Sequence, residues 1–324
     1  MRQKLEVSRS SSELLTNGGM RRDLTTRNSR AVESHIEGVS RPVSEYLAYT
    51  PPYDWDTILT SFRTHQVPDL EAADEFVYER VIRTALGLGW FRVSHDADRA
   101  ALRLQVWNAD PPDVAATAKS VRRMFDLDAD LPAIGHAMKE ERYLLTLWKR
   151  YPGLRIPRSW NGFESMVTTI LGQLVSVSFG RTLTRELMEA AGTKANHPRT
   201  GDPMHLFPTA KELRNADLSR VRTSDPRRVA IRSLATLVED GTLEWDQPIE
   251  HDRLRKILLS VPGIGPWTSE YVAMHGFHDD DAFPATDYGL KQQLKLHSEV
   301  DVKKVKPWRA YAAMALWKAF AHSR

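Results

Sequence analysis

A chain of 324 residues is long enough for two or three domains and a substantial buried core. Its 45 Lys and Arg against 42 Asp and Glu leave a net charge of +3, scattered in a way that suits a polyanionic partner without demanding one. The absence of cysteine excludes a disulfide framework, thiolate-ligated zinc and a thiolate-held iron–sulfur cluster; with neither a secretory leader nor an apolar run of about 18 residues, a soluble, cytoplasmic protein with no membrane partner is expected.

Residues 1–45, above all Met1 to about Val43, are rich in Ser, Arg, Thr and Asn and poor in large apolar side chains. They cannot bury enough surface to offset the entropy of ordering, so a mobile tail is expected. Its Arg9, Arg21, Arg22, Arg27 and Arg30 can add weak, salt-sensitive attraction to nucleic acid; a solvated extension without a role, with Met20 as alternative start, explains them as well. From residue 46 to 135 the texture is that of a small α+β domain. Phe76-Val77-Tyr78 and Arg80-Val81-Ile82 suggest a strand; Phe91 with Val93, then Leu102, Leu104 and Val106, alternate in two more around a polar Ser94–Arg99 turn. A helix follows with Val114, Ala118, Val121, Met124 and Phe125 inward.

Residues 136–324 read as helical almost throughout, with no strand signal of comparable strength. Asn161 or Ser159 can cap a helix carrying Phe163, Met166, Val167, Ile170 and Leu171, which Gly172 ends or bends; another runs from about Val175 to Ala191. Thr209 and Glu212 have capping-box spacing, and Pro226 can open a helix over Arg227–Val238. Later helices start at Asp287 and at Pro307 or Trp308.

Between them, Leu254, Ile257, Leu258 and Val261 recur at helical spacing and stop at Pro262-Gly263, while Pro266 can begin a second helix. The intervening Gly263-Ile264-Gly265 can bring backbone amides against a phosphate at a helix start, although an ordinary helix–helix turn explains the glycines alone. Trp267 and Tyr271 are four apart and share a helical face; Asp287, after Phe283-Pro284, either caps its helix or does chemistry. His278-Asp279-Asp280-Asp281 suggests a metal cluster, but consecutive loop acids are usually solvated, and no metal site is assigned to them.

Together these motifs resemble the helix-hairpin-helix DNA glycosylases, in their AlkA-type branch, the bacterial 3-methyladenine DNA glycosylase II group. The resemblance rests on Val261–Thr268, on Phe283-Pro284 with Asp287-Tyr288, on Ile170-Leu171-Gly172-Gln173-Leu174-Val175-Ser176, on Pro307-Trp308-Arg309-Ala310-Tyr311 and on Pro51-Pro52-Tyr53-Asp54-Trp55, so it spans about Pro51 to the C-terminus. It implies a mainly α fold with a small antiparallel-sheet domain and two helical subdomains, one over about 162–279 with the hairpin, the other over about 136–161 and 280–324. It also implies a monomer that grips double-stranded DNA through Gly263, Ile264, Gly265 and Thr268, flips out an alkylated purine and hydrolyses its glycosidic bond, leaving an abasic site in base excision repair.

By the same resemblance Asp287 is the catalytic carboxylate, with Thr286 where many relatives carry a second acid. Trp267 stands where bifunctional relatives place a Schiff-base lysine, so no lyase activity is expected. Trp267, Tyr271, Tyr288 and Trp317 resemble the aromatic lining of the base pocket, with packing in the core as the alternative, strongest for Trp317; Phe62, one residue displaced from the family pattern, would close the pocket. Leu174 resembles the wedge inserted into the duplex, or else ordinary interhelix packing, and Gln173 either meets the opposite strand or is simply polar surface. Arg309 orders the site, meets a phosphate or pairs with an acid such as Asp287; Arg222, Arg227, Arg228 and Arg232 reach phosphates or form a solvated helix face. No cofactor is required and the four-iron cluster of some relatives is excluded, but Na+ or K+ can sit on the carbonyls of Leu259, Val261 and Ile264. Two rivals stay open: a glycosylase for oxidised or deaminated bases, and a non-catalytic DNA-binding hairpin module.

Overall fold

The computed structural model describes residues 41–245, 247 and 249–323; the expected tail, as far as residue 40, lies outside the described residues. Strand β1 (Val43–Ala48) takes Val43, Ser44 and Glu45 into a sheet, which corrects the boundary set at residue 45. Only Leu47 of that strand is buried, so its alternation is too weak to announce a strand. Helix α1 (Trp55–His65) follows, capped by Asp54, whose carboxylate accepts from the Thr57 amide at 3.1 Å. Strands β2 (Glu71–Ala73), β3 (Val77–Thr84), β4 (Gly87–Asp96) and β5 (Ala101–Trp107) complete an antiparallel sheet of order β1-β5-β4-β3-β2, and α2 (Pro111–Met124) begins on Pro111 behind its Asp110 cap.

Strand side chains alternate between faces, and both faces of this sheet are covered. Phe91, Val93, Leu102, Leu104, Tyr78 and Ile82 pack against Ile58, Leu59 and Phe62 of α1 and Val121 and Met124 of α2. On the other face Trp90 and Trp107, directly paired across β4 and β5, stack with centroids 3.8 Å apart and meet Met188, Met204 and Leu206 from the helical part.

That part comprises α3 (Leu131–Met138), α4 (Arg142–Arg150), α5 (Gly162–Gly172) and α6 (Val177–Ala191), then a hairpin of β6 (Lys194–Asn196) and β7 (Pro203–His205). These strands of three residues each were not legible, because an alternating pattern needs more length than that to register. Helices α7 (Ala210–Asn215), α8 (Asp225–Glu239), α9 (His251–Ser260), α10 (Pro266–Gly276), α11 (Tyr288–Leu296) and α12 (Arg309–His322) complete the fold. The capping box of α7 forms as its spacing suggests. One apolar core, including Met166, Ile170, Leu183, Ile231, Leu254, Val272 and Leu316, joins these helices.

Buried charges tie the sheet to the helices. Arg80 of β3, 3% exposed, bridges Glu71 and Glu164, the latter in the first turn of α5, and lies 5.2 Å from the Trp160 ring centroid. Arg158 donates to the Met274 carbonyl at 2.7 Å and reaches Asp126 and Asp280, while Tyr311 of α12 donates to Asp126 at 2.8 Å. Such ions persist in the interior only when paired and hydrogen-bonded.

Candidate active site and DNA-facing hairpin

Helix α9 ends at Ser260, and Gly263 turns the chain with φ at 90°, a region L side chains rarely adopt. Ile264 is buried and its amide donates to the Val261 carbonyl at 3.1 Å, so both are engaged within the turn. Gly265 precedes Pro266 at the start of α10, which has no side-chain cap; a Cβ built on Gly265 meets nothing within 4 Å. The fold itself therefore does not require glycine at 265, and the first amides of α10 are left for an external acceptor.

The turn between α5 and α6 sits against this hairpin. The Gln173 side-chain amide donates to the Gly263 carbonyl at 3.1 Å and to the Thr268 hydroxyl at 2.8 Å, and the Gln173 backbone carbonyl accepts from Arg227. Thr268, expected on the DNA-facing surface, is 3% exposed and instead holds Gln173. The next residue, Leu174, is 101% exposed with φ at 55°. Interhelix packing is thereby ruled out for Leu174: a large apolar side chain stands wholly in solvent on a left-handed backbone conformation that costs on the order of 1 kcal/mol.

Asp287 caps α11, its Oδ1 accepting from the Leu290 amide at 3.1 Å. It does more than cap: the Trp267 indole donates to Oδ2 at 3.1 Å and the Trp317 indole to Oδ1 at 2.8 Å. One half-buried carboxylate is thus fixed by α10, α11 and α12 together. Trp317 packs on the helical core, as the alternative reading expected, and its indole also reaches Asp287, but it is not among the residues that line the cleft between the sheet domain and the helices.

Trp267 and Tyr271 stack at 5.0 Å and line a cleft of about 410 Å³ between the sheet domain and the helices, with Phe62, Trp160, Glu164 and His275 also on its wall. Phe62 serves the sheet-domain core as well, 4.8 Å from Phe125. Tyr288 is 62% exposed and meets Phe320 edge-on at 5.9 Å, outside the cleft wall. Burial, then the negative charge of Asp287, pushes the Tyr271 phenol up to about 12, which keeps it neutral at physiological pH.

Arg309 forms a bidentate pair with Asp281, both contacts at 2.7 Å; an acid does hold it, but not Asp287. The acidic run is likewise not simply solvated: Asp279 pairs with Arg255, Asp280 with Arg158 and Asp281 with Arg309. No metal-holding cluster of acids and histidines occurs among the described residues. Arg228 and Arg232 donate to the carbonyls of Leu218, Val221, Arg214 and Ala216 and so secure the chain around α7, while Arg222, largely exposed, pairs with Glu186 of α6.

Sequence reasoning passed over Arg158, Glu164, Trp160 and His275. Only His275 carried a signal: it is four residues beyond Tyr271 on the helical face begun by Trp267. Burial, the largest cause in both, pulls His275 down to about 4 and neighbouring His278 to about 3, with Arg158 lowering each further. An unfolded histidine takes its proton near 6.5, so between these values the unfolded chain binds more protons. Stability present above pH 6.5 should therefore fall as pH drops toward about 4, by up to about 1.4 kcal/mol per unit for each histidine. Urea melts from pH 7.5 to 4.5, approximately the window named, check this; His278→Asn, whose side chain tolerates the φ of 60°, should flatten the profile.

Comparison with known proteins agrees with this geometry. Residues 45–161 match the AlkA N-terminal domain model. The chain is 32% identical over 288 residues to a Mycobacterium tuberculosis protein named a probable bifunctional transcriptional activator/DNA repair enzyme AlkA, covering 86% of this chain but 58% of that relative's length. It is 29% identical to Escherichia coli DNA-3-methyladenine glycosylase 2, covering 84% of this chain and 95% of that one. Among solved structures the 3-methyladenine DNA-glycosylase of Archaeoglobus fulgidus superposes with a TM-score of 0.68 at 17% identity, over 86% of this chain and 98% of that one, which shows the shared fold. With the sheet domain, the glycine hairpin between α9 and α10 and these relatives in agreement, the chain carries a match to the AlkA N-terminal domain over residues 45–161 and is similar over most of its length to DNA glycosylases of the AlkA type.

Proposed function

We propose that the protein is a monofunctional DNA glycosylase that releases alkylated purines, 3-methyladenine-like lesions foremost, from double-stranded DNA. The observation that carries this reading is the Asp287 carboxylate, held by two indoles, one of which also lines the cleft. The purine flips out of the duplex and stacks on Trp267 and Tyr271; a positively charged alkylpurine gains about 0.5–2 kcal/mol per good aromatic contact over a neutral one. The C1′–N bond then breaks, its electron pair leaving with the base, which departs neutral. Asp287 stabilises the cationic sugar and accepts the proton of the water that adds to C1′. Trp267 offers no amine, so no Schiff base forms there.

The hairpin amides hold the backbone of the DNA, Leu174 fills the gap left by the flipped base, and one molecule acts as a monomer on an asymmetric lesion. The carbonyls of Leu259, Val261 and Ile264 are neutral oxygen donors, a set that suits Na+ or K+ better than a divalent ion, and such an ion would neutralise phosphate charge at the hairpin. A non-catalytic module would need the glycines but not a carboxylate shared by two indoles. The direct test is release of free bases from methylated duplex DNA by the wild-type protein; no release would end the reading. Because Leu174 touches little, Leu174→Ala should alter stability by less than about 0.5 kcal/mol yet slow excision roughly tenfold or more, consistent with losing compensation for unstacking of a few kcal/mol. Thermal melts and single-turnover excision measure the two effects separately.

A further inference from the structure

His275 belongs to the cleft but not to the chemistry described so far. Its ring lies 4.3 Å from Tyr271, the next member of the column that begins with Trp267, and it is 8% exposed. Nδ1 is 2.7 Å from the Pro157 carbonyl, an atom that can only accept, so Nδ1 carries the proton and Nε2 a lone pair. The backbone is fixed as well, the Ser159 amide donating to the His275 carbonyl at 2.8 Å. Nε2 has no hydrogen-bond partner among the described residues, although buried polar atoms almost always find one.

We propose that His275 is a specificity-determining residue of the base pocket, its Nε2 accepting a hydrogen bond from an N–H of the flipped purine, foremost the exocyclic amino group. The inference rests on the glycosylase reading and deepens it. An orphaned acceptor on a fixed ring favours ligands that bring a donor over those that do not, because only the former restore the missing bond. A cationic alkylpurine is the better donor of the two charge states, since its N–H groups share the positive charge. The histidine itself stays neutral, burial having lowered it to about 4, so it neither repels that cation nor presents a competing proton.

Two free bases differing only in the donor test this: 3-methyladenine, and 3-methylpurine, in which hydrogen replaces the amino group. Each is used as a competitor in base release from methylated duplex DNA. The wild type should bind 3-methyladenine about tenfold more tightly than 3-methylpurine. His275→Phe should erase that preference by weakening 3-methyladenine alone, and His275→Gln, which keeps an acceptor, should restore part of it. Equal affinity of the wild type for the two bases overturns the proposal, and so does a parallel loss for both in His275→Phe, which a packing role would give. The wild-type comparison needs no variant and survives a folding defect in either substitution. If the wild type releases no base, the glycosylase reading has failed by itself, and calorimetric binding of the two bases to the wild type still decides whether His275 selects for the donor.

Discussion

Asp287→Asn is expected to lower the rate of base release by roughly 10²–10⁴-fold, the range for a lost general base or charge-stabilising group, while lesion-bearing or abasic-analogue duplex still binds within a few-fold of wild type. Asparagine has nearly the same shape and keeps one carbonyl oxygen, so the cap on the Leu290 amide can survive. It carries no negative charge to set against a sugar turning cationic. Its NH₂ also faces an indole N–H where a carboxylate oxygen stood, leaving either Trp267 or Trp317 without its acceptor. Single-turnover excision beside an electrophoretic binding assay separates chemistry from affinity. Excision at the wild-type rate would remove Asp287 from the mechanism, and a binding loss as large as the rate loss would make it a structural cap.

Arg158→Met should destabilise the protein by about 3–5 kcal/mol, the cost of removing one partner from a buried ion network. The guanidinium serves the Met274 carbonyl, Asp126 and Asp280 at once. Asp126 would retain the Ile156 amide and the Tyr311 hydroxyl, but Asp280 would lose its cation. Burial already raises the Asp280 carboxyl, and Arg158 is what opposes that rise. A carboxyl raised in the folded state is stabilising in its protonated form, so the deficit of the variant should be largest near neutral pH and shrink as pH falls toward the carboxylate range. Urea melts at pH 7.5 and 5 measure both sign and size, and a deficit under about 1 kcal/mol at pH 7.5 would show that the network is not what holds the two parts together.

The hairpin and the capping residues were legible because their signals are local. Gly263 must turn, Pro266 must start a helix, and Thr209 with Glu212 satisfies amides within its own first turn. Asp287 was legible as a cap and, through the family resemblance, as an acid; that two indoles would converge on it was not, since they arrive from helices 20 and 30 residues away along the chain. The arginines misled for the same reason. Arg228 read as a phosphate contact or a solvated helix face, and Arg309 could be given an acid as partner but not the right one; their partners, the carbonyls of Leu218 and Val221 and the carboxylate of Asp281, are set by tertiary packing. Leu174 was ambiguous because an apolar residue between two helices is usually buried, and only its surroundings could decide otherwise.

Gln173 joins the loop bearing Leu174 to the Gly263 turn by direct hydrogen bonds, so the two cannot travel independently. On the function proposed above, Leu174 would therefore probe the pliability of a base step and the hairpin take hold of the neighbouring strand in one mechanical event. Added salt, by loosening the hold on the strand, would slacken the probing to the same degree, and the search for damage would slow and weaken as a unit.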